Sequence, residues 1–174
     1  MRRKHKIRLT SIVGICTAFA LILSYVELLL PPLYVAVPGI KMGLANIAVI
    51  FVLYRLSLRS AIYVSILRVI LVSMLFSNAM ALAYSVSGAV LSLCVMALAK
   101  RTGLLSCVGV SVGGAVAHNV GQILCAMALL GTSELGYYLI ILSVTGCISG
   151  IFIGLAGALC VARVPEQLTR IGGE

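Results

Sequence analysis

Six apolar runs separated by short connectors carry their lysines and arginines at alternate ends, and this alternation constrains the chain more than any motif in it. Arg2, Arg3, Lys4, Lys6 and Arg8 precede the first run, and Arg55 and Arg59 lie between the second and third. Lys100 and Arg101 lie between the fourth and fifth, and Arg163 and Arg170 follow the sixth. Lys and Arg resist translocation across a bilayer, so the pattern predicts an all-α membrane protein of six transmembrane helices with both termini in the cytoplasm. Only Lys41 and Arg68 break it. A cation at the far rim or within the apolar core carries a free-energy cost, which makes these two the first functional suspects.

With 62% hydrophobic and 10% charged residues in 174, the chain has too little polar surface to clothe a soluble globule, and lipid is its expected solvent. The net charge of +9 sits at helix ends, where anionic headgroups neutralise it, so nucleic acid is not the expected partner. The basic start before an apolar run also resembles a signal peptide. No small-residue cleavage site ends it cleanly and five more apolar segments follow, so it reads as a retained first helix. The connectors are short, and 1–174 reads as one integral membrane domain with a basic stretch at 1–8 and a cytoplasmic tail at 165–174.

Cys16, Cys94, Cys107, Cys125, Cys147 and Cys160 form no C-x-x-C pair and lie in or beside apolar segments, as small packing residues do. No cofactor or metal is expected. The chain has no aspartate, and its four acids, Glu27, Glu134, Glu166 and Glu174, are scattered. Chemistry that holds Mg²⁺ on a diphosphate through clustered carboxylates lacks its ligands, and no phosphate-binding G-x-x-x-x-G-K-[ST] loop is present. The chain is therefore expected to be no enzyme.

Periodicity and breakers predict a first helix from about Leu9 to Leu23, fraying toward Leu30. An outer loop framed by Pro31-Pro32 and Pro38-Gly39 follows. The second helix, roughly Met42 to Tyr54, is short for a span, so it either begins deep or leans on its neighbours. The rest are placed at about Ser60 to Phe76, Met80 to Ala99, Leu104 to Leu130 and Leu135 to Ala162. Small residues four apart make the groove through which membrane helices approach closely. Gly109, Gly113, Ala117 and Gly121 form one such ridge, and Gly146, Gly150, Gly154 and Ala158 another, so the fifth and sixth helices are expected to pack together, with other helices as alternative partners. The shorter step from Gly14 to Ala18 serves either an intramolecular contact or docking to another membrane subunit.

At about 1.5 Å per residue, His118 lies about 21 Å and Gln122 about 27 Å in from the cytoplasmic side, in the outer half of a core about 30 Å thick. Lys41 falls at the outer rim, Asn46 a little over one turn below it, Asn78 in the outer turn before the fourth helix and Glu27 before the outer loop. Arg68 falls near the midplane. His118 and Gln122 share one face of their helix, with Ser111 and Ala115 extending the stripe downward and Asn119 turned aside. Tyr84 is the fourth-helix residue best placed to reach a ligand. Convergence of Lys41, Asn46, Arg68, His118, Asn119 and Gln122 predicts a small pocket open to the outside that favours an anionic ligand. The alternative for each residue singly is a hydrogen bond to a neighbouring helix, and for Arg68 a pair with Glu27 or the capping of carbonyls.

The run Pro38-Gly39-Ile40-Lys41-Met42-Gly43-Leu44-Ala45-Asn46, the Leu67-Arg68 pair and Ala117-His118-Asn119-Val120-Gly121-Gln122 resemble the hallmark stretches of the Gx transporter family, also labelled heptaprenyl diphosphate synthase component I. That family is similar to the substrate-binding S components of energy-coupling-factor transporters. The resemblance implies a multi-pass bundle in the bacterial cytoplasmic membrane that captures a small-molecule micronutrient from outside. It also implies a transmembrane scaffold subunit and ATPases as partners, with the scaffold meeting a small-xxx-small face on the first helix. The matching step here is Gly14 to Ala18, where the S components typically carry two alanines. Without aspartate, a synthase role is at most that of an accessory subunit. A membrane anchor for an isoprenoid or redox enzyme, and an ion-coupled carrier using His118 and Glu27, are the other classes open to this sequence.

Overall fold

A computed structural model of the chain describes residues 2–29, 43–76 and 78–165, with side chains from Ile7 onward. The elements are α1 (Arg2–Leu29), α2 (Asn46–Arg55), α3 (Leu58–Phe76), α4 (Ala79–Thr102), α5 (Cys107–Leu130) and α6 (Tyr138–Arg163), with a 3-10 turn at Glu134–Tyr137 ahead of α6. No strand occurs among the described residues. The proline-framed loop with Lys41, and the tail beyond 165, lie outside the described residues.

Five of the six helices, all but α2, are long and apolar enough to cross a membrane. Their outward faces carry Ile15, Tyr63, Met74, Leu98, Phe152 and Leu159, all exposed, as lipid-facing residues are. The ten residues of α2 rise only about 15 Å, half of a bilayer core. This helix begins later than its apolar run suggests, at Asn46, and of the two alternatives expected for it the second holds: it leans on its neighbours, with six of its ten residues, Asn46, Ala48, Val49, Ile50, Val52 and Leu53, buried among α1, α3, α5 and α6. Ile50 and Leu53 of α2, Val64 of α3, Met96 of α4, Val110 of α5 and Ile153 of α6 share one apolar core.

Local chemistry sets the helix boundaries. The Ser106 hydroxyl accepts the Gly109 N–H at 3.2 Å, which starts α5 at Cys107 rather than Leu104. The Asn78 side chain accepts the Ala81 N–H at 2.9 Å and starts α4. That helix runs on to Thr102, where Gly103 at φ 68° stops it in left-handed backbone.

The two small-residue ridges do different work. Cβ atoms built on Gly150 and Gly154 would lie 2.7 and 2.8 Å from the Cα atoms of Val112 and Val108, so the α6 ridge presses backbone to backbone on α5, as expected. The α5 ridge turns instead to α4: Gly121 lies against Ser87 and Gly88, and Gly113 against Val95. Ser87 seals that contact by donating its hydroxyl to the Gly121 carbonyl at 2.9 Å.

Basic side chains tie one end of the bundle together. Arg55 donates to the carbonyls of Val161 and, at 2.8 Å, Val164, capping α6. Lys100 donates to the Leu53 carbonyl at 2.6 Å and lies 4.9 Å from the centre of the Tyr54 ring, capping α2 from α4. The C-terminal ends of α2, α4 and α6 therefore meet at one level. Replacing Lys100 with methionine is expected to lower stability in detergent by about 1 to 2 kcal/mol, because the charged hydrogen bond and the ring contact go together while the aliphatic stem stays. A melting curve checks it.

Candidate functional site

Three helices and one turn bring polar side chains to a single level of the bundle. Counted from the shared basic end at about 1.5 Å per residue, Arg68 is about 15 Å up α3, Asn46 about 14 Å up α2 and His118 about 16 Å up α5. The late start of α5 brings His118 down to this level, so Asn46 and His118 stand level with Arg68 rather than above it.

A narrow cleft opens at this level, about 10 Å³ in volume, room for about one water molecule. Its walls are Ser24 from α1, Gly43 from the turn before α2, Arg68, Val69 and Val72 from α3, Ser85 from α4 and His118 from α5. Gly43 is required there twice over. Its φ of 84° is left-handed, and a Cβ would come within 3.0 Å of the Asn46 amide and 3.9 Å of the His118 ring. The Asn46 side chain therefore lies beside His118 at the edge of the cleft. On the α4 side, a Cβ on Gly88 would meet the Gln122 side chain at 2.9 Å and the His118 ring at 3.0 Å, so the missing Cβ lets both lie flat on α4.

Glu27 comes from α1, one turn past Ser24. Its carboxylate accepts the Gly43 N–H at 2.5 Å, and its charge acts on the Arg68 guanidinium. Both residues are buried, at 8% and 6% exposure, so the attraction between their charges offsets part of what burial costs each. The Arg68 Nε makes no hydrogen bond among the described residues. Gln122 is fully buried, and neither atom of its amide has a partner there. A buried amide without partners costs about 1–3 kcal/mol per missing bond, which marks Gln122 as a polar position inside an apolar bundle.

The other sequence-predicted residues separate from this cluster. Asn119 donates to the Leu142 carbonyl at 2.7 Å and so binds α6. Its stripe continues through Ala115 and Ser111, which lie against Gly150 and Gly154, whereas His118 and Gln122 continue through Gly114 toward α4. Successive helical residues turn by about 100°, enough to send neighbours 118 and 119 to different helices. Asn78 is exposed and used as the α4 cap, and Tyr84 is buried against Ala126, Cys125 and Leu135, so neither lines the cleft. Lys41 lies outside the described residues. Gly14 and Ala18 are exposed and nothing stands within 4 Å of a Cβ on Gly14, so no intramolecular contact meets that step among the described residues. Sequence reasoning missed Ser24, Gly43 and Ser85 as wall residues. Ser24 and Glu27, three apart at the end of an apolar helix, were the available signal.

A family model described as heptaprenyl diphosphate synthase component I matches residues 16–160. The chain belongs to that family. The match runs from α1 to α6, so every wall of the cleft falls inside what defines the heptaprenyl diphosphate synthase component I family. No curated protein and no solved structure matches the chain.

Proposed function

We propose that this chain is a non-enzymatic membrane subunit that captures a small anionic metabolite for uptake, in the manner of an S component, with both termini in the cytoplasm of a bacterial cell. The observation that carries this reading is the cleft itself, where a buried arginine with an unsatisfied Nε stands beside His118 and the turn into α2, inside a bundle whose outside is apolar. Arg68 supplies the charge, and His118, Asn46 and Gln122 supply directional hydrogen bonds. The exposed Gly14 to Ala18 step is the face offered to a scaffold subunit that works with ATPases.

The test is native mass spectrometry of the full chain purified from its own membrane, beside the double variant E27Q/R68M. Removing both charges together leaves neither one unpaired, so the fold is expected to survive. The wild type is expected to carry a small anion, and the double variant to retain at least tenfold less. Equal loading of both proteins, or none in either, defeats the reading.

The family description favours a second reading, in which the chain is the non-catalytic membrane partner of a prenyl diphosphate synthase subunit. Affinity purification separates the two. Recovery of a scaffold with ATPases supports uptake, and recovery of a prenyl synthase supports the accessory role.

A further inference from the structure

An anion already sits where an anionic ligand has to go. The Glu27 carboxylate takes the Gly43 N–H at 2.5 Å, its charge acts on Arg68, and both Gly43 and Arg68 line the cleft. The N–H groups of Asn46, Ile47 and Ala48 bond back to the carbonyls of Gly43, Leu44 and Ala45. In the turn just ahead of them, the Gly43 N–H is given to a side chain, that of Glu27. The positive end of α2, halfway up the bundle, adds to the attraction for negative charge. Arg68 offers five donors in all, and its buried Nε still has no hydrogen bond among the described residues. The donor set thus exceeds what one carboxylate takes up.

A ligand carboxylate or phosphate entering this small cleft meets the Glu27 charge at close range. Two anions sharing one set of donors repel, so one of them has to leave. We propose that Glu27 is an internal stand-in for the ligand, holding the Gly43 N–H and Arg68 in the empty protein and giving them up when an anionic group enters. This inference rests on the capture reading above and adds the residue that sets its affinity. Glu27 keeps the buried arginine compensated between ligands, at the price of weaker capture. It also ties the end of α1 to the turn before α2 only while the cleft is empty.

The experiment uses the full chain in detergent micelles with inorganic phosphate and propionate as probes, read by titration calorimetry and by melting temperature. The E27Q variant is expected to bind phosphate at least about tenfold more tightly than the wild type, because the competing charged hydrogen bond is gone. Without phosphate it is expected to melt below the wild type, since Arg68 is left uncompensated, and phosphate is expected to close that gap. The E27D variant, shorter by one methylene, is expected to lie between the two. Should either variant fail to fold, the wild type still decides the matter. Phosphate is expected to shift a carboxylate band in its difference infrared spectrum, and phosphate that binds with the band unmoved overturns the proposal. Wild-type binding with E27Q binding no tighter overturns the stand-in and leaves capture intact. No binding of either probe by any folded form overturns both.

Discussion

Replacing Gly150 with leucine is expected to prevent α5 and α6 from closing, with a loss on the order of 3 kcal/mol or more and little folded protein recovered from the membrane. A Cβ on Gly150 falls 2.7 Å from the Val112 Cα and 3.1 Å from the Ala115 Cβ. The first of these atoms is backbone, so the strain cannot be relieved by a rotamer change and the helices have to part. Membrane helices hold together through van der Waals contact rather than water exclusion, so separation forfeits most of what binds them. It also breaks the bond from Asn119 to the Leu142 carbonyl, which depends on the same approach. The control is Gly14 to leucine, where nothing stands within 4 Å of the new Cβ and the change is expected to stay within about 0.5 kcal/mol. Detergent-unfolding curves of the two variants, side by side, decide it. Equal stability would mean that the α6 glycine ridge does not govern the packing.

Arg68 to glutamine is expected to cost about 3 kcal/mol, because the Glu27 carboxylate then stays buried without the guanidinium charge. Glu27 retains its bond to the Gly43 N–H, which is not enough to replace a guanidinium in a site 8% exposed. Adding E27Q to the same chain is expected to restore most of the loss, since two neutral side chains need no mutual compensation. The coupling read from this double-mutant cycle is expected to be at least about 2 kcal/mol. Additive effects would show that the two charges are compensated separately, and the account of the cleft given above would fall with them.

The alternating basic residues and the long apolar runs show in the sequence alone what this chain is at the coarse level, a helical membrane protein of the family its hallmark stretches resemble. Such signals are local. Hydropathy sums over one helix and topology over one connector, so neither needs a neighbour in space. His118, Arg68 and Asn46 were legible as suspects for the same reason, since a polar side chain in an apolar run carries a cost wherever it points.

What only the tertiary structure decided is which helix each of these residues meets. Asn119 and His118 are adjacent in sequence, yet the first binds α6 and the second lines the cleft against α4. The charge of Glu27 on α1 acts on Arg68 of α3, and Gly113, Gly114 and Gly121 of α5 are used on α4 rather than α6. Partner choice depends on the rotation of each helix about its own axis, and with 100° per residue an uncertainty of one position redirects a side chain to a different neighbour. That rotation is set by backbone contact at Gly88, Gly121, Gly150 and Gly154 together, a sum over the bundle that no single segment contains.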